Sequence, residues 1–208
     1  MKILMTVLFI LLLTIQSASQ NEFQKCADNK NAIVSRLLKK GKLDSADQKK
    51  YLELDDEWQK CIVGKSMPSF NSKTLNGEEI NSKELRGKIV VINFWFIGCP
   101  PCIAEMPALN QLVKEYKDKG VSFLGFTVEN KKSLKKRFFP KYQFDFTIIP
   151  DATEIEDLFG VLEHPMIFII DQNCKVIAAW GGGEAGEKAK TYVYLKIKPV
   201  LDGLLKIE

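Results

Sequence analysis

The chain has 208 residues, 46% of them hydrophobic and 27% charged, and 30 Lys and Arg stand against 26 Asp and Glu for a formal net charge of +4. This is ordinary globular composition, with length for one sizeable core plus an appendage. The basic residues are nearly all lysine, the arginines being Arg36, Arg86 and Arg137, which argues against dedicated nucleic-acid recognition, where arginine supplies the bidentate contacts.

Met1-Lys2, the apolar run Ile3 to Ile15 and the small residues Ser17-Ala18-Ser19 have the pattern of a secretory signal, residues 1–19, with cleavage expected after Ser19. As a helix such a run reaches only about 20 Å against a bilayer core of roughly 30 Å, so no membrane span is expected after processing. No cysteine lies just after the run to carry a lipoprotein anchor. Export to the periplasm, or secretion, lets thiols pair, and five cysteines leave one over.

Residues 20–64 read as a helical hairpin. Ala32, Ile33, Leu37 and Leu38 form one apolar stripe and Tyr51, Leu52, Leu54, Trp58 and Ile62 a second. Gly41 breaks the first helix, and Ser45 with Gln48 offers a capping box for the second. In an antiparallel hairpin the start of one helix meets the end of the other, which is where Cys26 and Cys61 fall, so a structural disulfide is expected between them. It would close a loop of about 35 residues and contribute about 3 to 4 kcal/mol on the loop-entropy account.

From Lys65 the composition shifts to turns, and Asn76-Gly77 between short strands signals a β-hairpin. The run Ile89 to Ile97, rich in β-branched and aromatic residues, reads as a buried strand that ends at Gly98. Cys99-Pro100-Pro101-Cys102 follows, and Ile103, Met106, Leu109, Leu112, Val113 and Tyr116 then recur at helical spacing. The Cys-x-x-Cys motif therefore sits where a strand turns into a helix, and unpaired N–H groups with the helix dipole favour a thiolate at Cys99. Cys99 is the expected nucleophile and Cys102, one turn deeper on the same face, the resolving thiol. Pro100 and Pro101 stiffen the loop at the one place in a helix where a missing N–H is tolerated. Glu105 shares the helix face of both sulfurs, and a partly buried carboxylate there would have a raised pKa and could exchange the Cys102 proton. A zinc knuckle would need a second Cys-x-x-Cys or paired histidines, and the chain has one histidine. A peroxidatic site would want Pro and Thr or Ser where Ile92 and Phe96 stand.

Further on, a strand is expected at Val121 to Val128, a helix from Lys131 to Pro140, a strand at Phe146 to Ile149 and a short helix at Ile155 to Phe159. Strands at Met166 to Ile170 and Lys175 to Trp180 and a helix from Glu187 to Leu204 complete an α/β fold with a mixed sheet. Lys131, Lys132, Lys135, Lys136 and Arg137 read as a solvated helix face. Cys174, in a turn, is expected to be an exposed, unpaired thiol.

Asn93-Phe94-Trp95, the Cys-Pro-Pro-Cys motif, Glu105 and Pro107, with Glu163-His164-Pro165 before the strand Met166 to Ile170 and Asp171, resemble the TlpA/ResA-like branch of the thioredoxin superfamily over Lys65 to Glu208. The resemblance implies a thioredoxin-like fold with an N-terminal β-hairpin insertion, a cis Pro165 pressed on the cysteine pair, and proton handling by Glu105. It places Pro165, with His164, Pro100 and Pro101, at the substrate edge. Asn93 stands where thioredoxins proper carry an acid, as in TlpA-like proteins. Two positions depart from the family: Gly98 lacks the aromatic residue common before the first cysteine, and His164 replaces a small or β-branched residue. The implied activity is extracytoplasmic thiol-disulfide exchange with partner proteins, as a reductant fed by an upstream redox donor, with no cofactor and no metal. The rival reading is a copper-binding assembly protein that holds Cu(I) with Cys99, Cys102 and His164.

Overall fold

The structure is a computed structural model that describes residues 22–37, 39–42, 44–183 and 186–207. The expected signal segment 1–19 and Leu38 of the first stripe lie outside the described residues.

Two helices come first, α1 over 22–37 and α2 over Ser45–Ile62, with Gly41 between them at φ +80°. The α2 cap lies one residue before the expected one. Asp44 accepts from the Asp47 amide at 2.8 Å and the Asp47 carboxylate accepts back from Asp44, so two aspartates do the work expected of Ser45 and Gln48. A carboxylate at a helix start gains from the dipole as well as from the hydrogen bond. Cys26 and Cys61 are joined by a disulfide, their Cα atoms 5.9 Å apart.

Strands β1 (Asn71–Lys73) and β2 (Glu79–Asn81) pair antiparallel around a turn that holds Gly77 at φ +92°. A 3-10 turn, Ser82–Leu85, leads into β3 (Ile89–Trp95), buried along its whole length because it is central in a five-stranded sheet of order β5-β4-β3-β6-β7. β4 (Val121–Thr127) runs parallel to β3, and β5 (Thr147–Ile149) parallel to β4. β6 (Met166–Ile170) is antiparallel to β3, and β7 (Val176–Gly181) antiparallel to β6. The crossover between β3 and β4 is α3 (Pro100–Tyr116). After β4 the chain makes a short α4 (Lys131–Ser133) that widens into a π-turn, Leu134–Phe138, where a plain helix was expected. Leu134 and Phe138 are buried while Lys131, Lys132, Lys135, Lys136 and Arg137 face solvent. α5 (Thr153–Phe159) precedes β6 and α6 (Glu187–Leu205) closes the fold.

Alternation along β3 divides the core, because successive side chains of a strand face opposite sides. Val90, Ile92 and Phe94 join Phe168, Phe159 of α5 and Phe23, Trp58 and Ile62 of the hairpin in one cluster. Ile89, Val91 and Trp95 join Cys99, Cys102 and Leu109 of α3 and Val193 and Ile197 of α6 in the other. The hairpin therefore shares its core with one face of the sheet, and the cysteine motif lies on the opposite face. Among the described residues, no helix is long and apolar enough to cross a membrane.

Candidate active site

β3 delivers the chain to a short turn, and α3 begins immediately after Cys99, which is its N-cap. The Cys99 sulfur accepts from the Cys102 amide at 3.2 Å. Pro100 and Pro101 fill the first turn, and the Ile103 amide bonds back to the Cys99 carbonyl at 3.2 Å. Cys99 and Cys102 form a disulfide with Cα atoms 5.3 Å apart, each residue being 2% exposed. Gly98 and Pro100 on either side of Cys99 are exposed.

Glu105, one turn on from Cys102, is 1% exposed. Burial pushes its pKa up to about 8, with Lys196 pulling weakly the other way. Among the described residues its Oε2 finds no hydrogen-bond partner, nor does Nδ2 of Asn93, which is buried on the adjacent strand. The loop after β7 covers it. A β-carbon on Gly183 would lie 2.7 Å from Glu105 Oε1, 3.0 Å from Pro165 Cγ and 3.1 Å from Pro101 Cβ. Pro101, Glu105 and Pro165 thus converge on one glycine.

The His164–Pro165 peptide bond is cis, and the Pro165 carbonyl accepts from the Gly182 amide at 2.9 Å. His164 places Nε2 3.2 Å from Glu156 Oε1, and its ring stands edge-on to Phe96 with centroids 5.2 Å apart. The Phe96 ring also packs on Gly98, with Cε2 3.0 Å from where a β-carbon would be. Among the described residues, no group of three or more His, Cys, Asp and Glu side chains is placed to hold a metal ion. Cys174 is unpaired but half-buried rather than exposed; it sits at φ +62° in the β6–β7 turn, at the far end of β6 from Pro165. Burial raises its thiol pKa. The sequence reading missed Phe96 and Gly183, and the run Gly181-Gly182-Gly183 was the available sign that a backbone approaches something closely there.

The chain is similar to known proteins. Residues 63–179 match the AhpC/TSA family. The chain is 35% identical over 142 residues to the thiol-disulfide oxidoreductase ResA of Bacillus thuringiensis subsp. konkukian, covering 68% of this chain and 82% of that protein. It is 34% identical over 150 residues to ResA of Geobacillus thermodenitrificans, covering 72% and 86%. The chain is a ResA-like member of the AhpC/TSA family. Among solved structures, a thiol:disulfide interchange protein DsbE from Chlorobium tepidum superposes with a TM-score of 0.58 at 26% identity, covering 67% of this chain and 97% of that one.

This ResA-like chain has the thioredoxin fold and is a thiol-disulfide oxidoreductase. The family match begins at residue 63, immediately after α2, so the disulfide-bonded hairpin lies outside it.

Proposed function

We propose that this oxidoreductase works outside the cytoplasm as a reductant of protein disulfides, with Cys99 and Cys102 as its exchanging pair. The observation that carries the reading is the Cys99–Cys102 disulfide at the start of α3 with the buried Glu105 one turn away. In the reduced enzyme the Cys99 thiolate attacks a partner disulfide, and one partner sulfur leaves and takes up a proton. In its ionised form Glu105 accepts the Cys102 proton, the Cys102 thiolate attacks the Cys99 sulfur of the mixed disulfide, and Glu105 returns that proton to the second partner sulfur as it leaves, so that the partner departs as a dithiol. The enzyme is left oxidised and an upstream dithiol donor restores it. Pro165, with His164, Pro100 and Pro101 around it, offers the edge on which the partner docks.

The reductant direction is supported by Glu105. Held neutral up to about pH 8, its carboxyl gives a Cys99 thiolate no cationic stabilisation, and above that pH its anion opposes one; a less stabilised thiolate makes a dithiol more reducing. Work outside the cytoplasm is supported by the leader pattern of residues 1–19 and by a second disulfide, Cys26–Cys61, of the kind that persists in oxidising compartments.

The test is insulin reduction with the Cys99→Ser and Cys102→Ser variants. Cys99→Ser should abolish turnover, and Cys102→Ser should accumulate a mixed disulfide that dithiothreitol releases. Undiminished turnover by Cys99→Ser would overturn the assignment. A reduction potential more oxidising than the glutathione couple would reverse the direction.

A further inference from the structure

The hairpin has no part in the exchange steps, yet one of its side chains reaches the loop that carries Pro165. The Tyr51 hydroxyl of α2 donates to Glu163 Oε2 at 3.0 Å, joining residues 112 positions apart. Glu163 stands two residues before Pro165 and lies across Gly181, where a β-carbon would meet its Cδ at 2.8 Å and its Cγ at 2.9 Å. Only a glycine leaves that notch open. Gly181 pairs with Met166, the residue after Pro165, and Gly182 donates to the Pro165 carbonyl at 2.9 Å. One half-buried side chain thus lies against the end of β7, at the glycine that pairs with the residue after the proline.

The hairpin braces Tyr51 in turn. The Cys26–Cys61 disulfide fixes α1 to α2, and Lys30 of α1 pairs with Asp55 of α2 at 2.7 Å. Tyr51 lies one helical turn before Asp55. Burial raises the pKa of the Tyr51 hydroxyl, so it stays protonated and donates.

We propose that Tyr51, acting through Glu163, is a positioning residue for protein substrates: it holds the Pro165 edge in the conformation that receives an extended partner segment. The proposal rests on the reading that Pro165 is the docking edge. A small disulfide needs access to Cys99 but pairs with no backbone edge, so the two substrate classes separate positioning from general damage.

The experiment compares Tyr51→Phe with the unaltered mature chain on insulin and on the small aromatic disulfide 5,5′-dithiobis(2-nitrobenzoate). Loss of one hydrogen bond predicts kcat/KM for insulin about threefold to tenfold lower, mainly through KM, with the small-disulfide rate changed by less than about twofold. Glu163→Gln keeps an acceptor for Tyr51 and should hold the insulin rate within about twofold, whereas Glu163→Ala should reproduce Tyr51→Phe. The double variant Tyr51→Phe/Glu163→Ala should be no worse than either single one. Parallel falls on both disulfides, or no fall on insulin, would overturn the proposal. An unaltered chain inert toward both disulfides would overturn the exchange reading itself, and is distinguishable because it needs no variant.

Discussion

Gly183 roofs Glu105 so closely that a β-carbon on it would stand 2.7 Å from Oε1. The contact joins the end of β7 to the first turns of α3, and it keeps water from a carboxyl that is 1% exposed. The Glu105 pKa, held up at about 8 chiefly by that burial, therefore depends on a residue 78 positions away that has no ionisable group.

Gly183→Ala should loosen this arrangement. The added methyl meets Oε1, Pro165 and Pro101 together, and the Glu105 tip is the only flexible one of the three. The carboxyl should become hydrated, its pKa should fall from about 8 towards the ordinary carboxylate range, and stability should drop by about 1 to 3 kcal/mol. The pH dependence of thiol-disulfide exchange reads the first effect and urea denaturation the second. An unshifted pH profile would mean that other groups keep Glu105 dry.

Glu105 should also set a pH dependence of stability. The native chain keeps the Glu105 proton up to about pH 8, while the unfolded chain gives it up near 4.5. Between those values the folded state binds more protons, so this contribution to stability is intact below about 4.5 and is lost as pH rises through about 8. Glu105→Gln removes the titration. Relative to the unaltered chain, the variant should gain on the order of 3 kcal/mol between pH 5 and pH 9. Denaturation of the oxidised forms at the two pH values checks this, and equal pH slopes would show that Glu105 is not held neutral.

How much of this was legible in the sequence follows from the range of the forces involved. The cysteine motif between an apolar run and a helical period is a local pattern, and β3 and α3 lie where it puts them. The α2 cap was readable to within one residue, since Asp44, Ser45 and Asp47 are all competent caps and only the folded turn chooses between them. The stripe Tyr51, Leu52, Leu54, Trp58 and Ile62 announces an apolar face but not its mate: Leu52 proves to be exposed, while Trp58 and Ile62 join Phe159 and Phe168 on one face of the sheet. The π-turn at Leu134–Phe138 has no signature in residues that would equally make a plain helix. Tyr51–Glu163 and Gly183–Glu105 are contacts between remote segments, and nothing in either partner's neighbourhood names the other.

The Cys26–Cys61 disulfide should matter for the whole fold. It ties α1 to α2, and Phe23, Trp58 and Ile62 of that pair are core neighbours of Phe94 and Phe168. Replacing both cysteines with serine should cost about 2 to 5 kcal/mol and still give a single unfolding transition. Two separate transitions, the main one unmoved, would show that the hairpin folds independently of the sheet.

Lys30 is the least expected side chain of the hairpin core. Only 2% of its side chain is exposed, its ammonium lies 3.9 Å from the centre of the Trp58 ring, and it pairs with Asp55 at 2.7 Å. An ion pair this sheltered is strongly felt when one partner goes, because the other keeps its charge without compensation. Lys30→Ala should therefore destabilise the chain by about 3 to 5 kcal/mol, while Lys30→Met with Asp55→Leu should recover most of that by replacing both charges with apolar volume. A second readout separates the pair from simple cavity formation. Lys30 lowers the pKa of Glu163 and Asp55 raises it, so Lys30→Ala should push the Glu163 carboxyl further up, whereas the double variant should relieve both influences. Urea denaturation gives the coupling energy and carboxyl NMR titration the direction at Glu163. Additive single losses would mean that Lys30 stabilises the hairpin by packing on Trp58 alone.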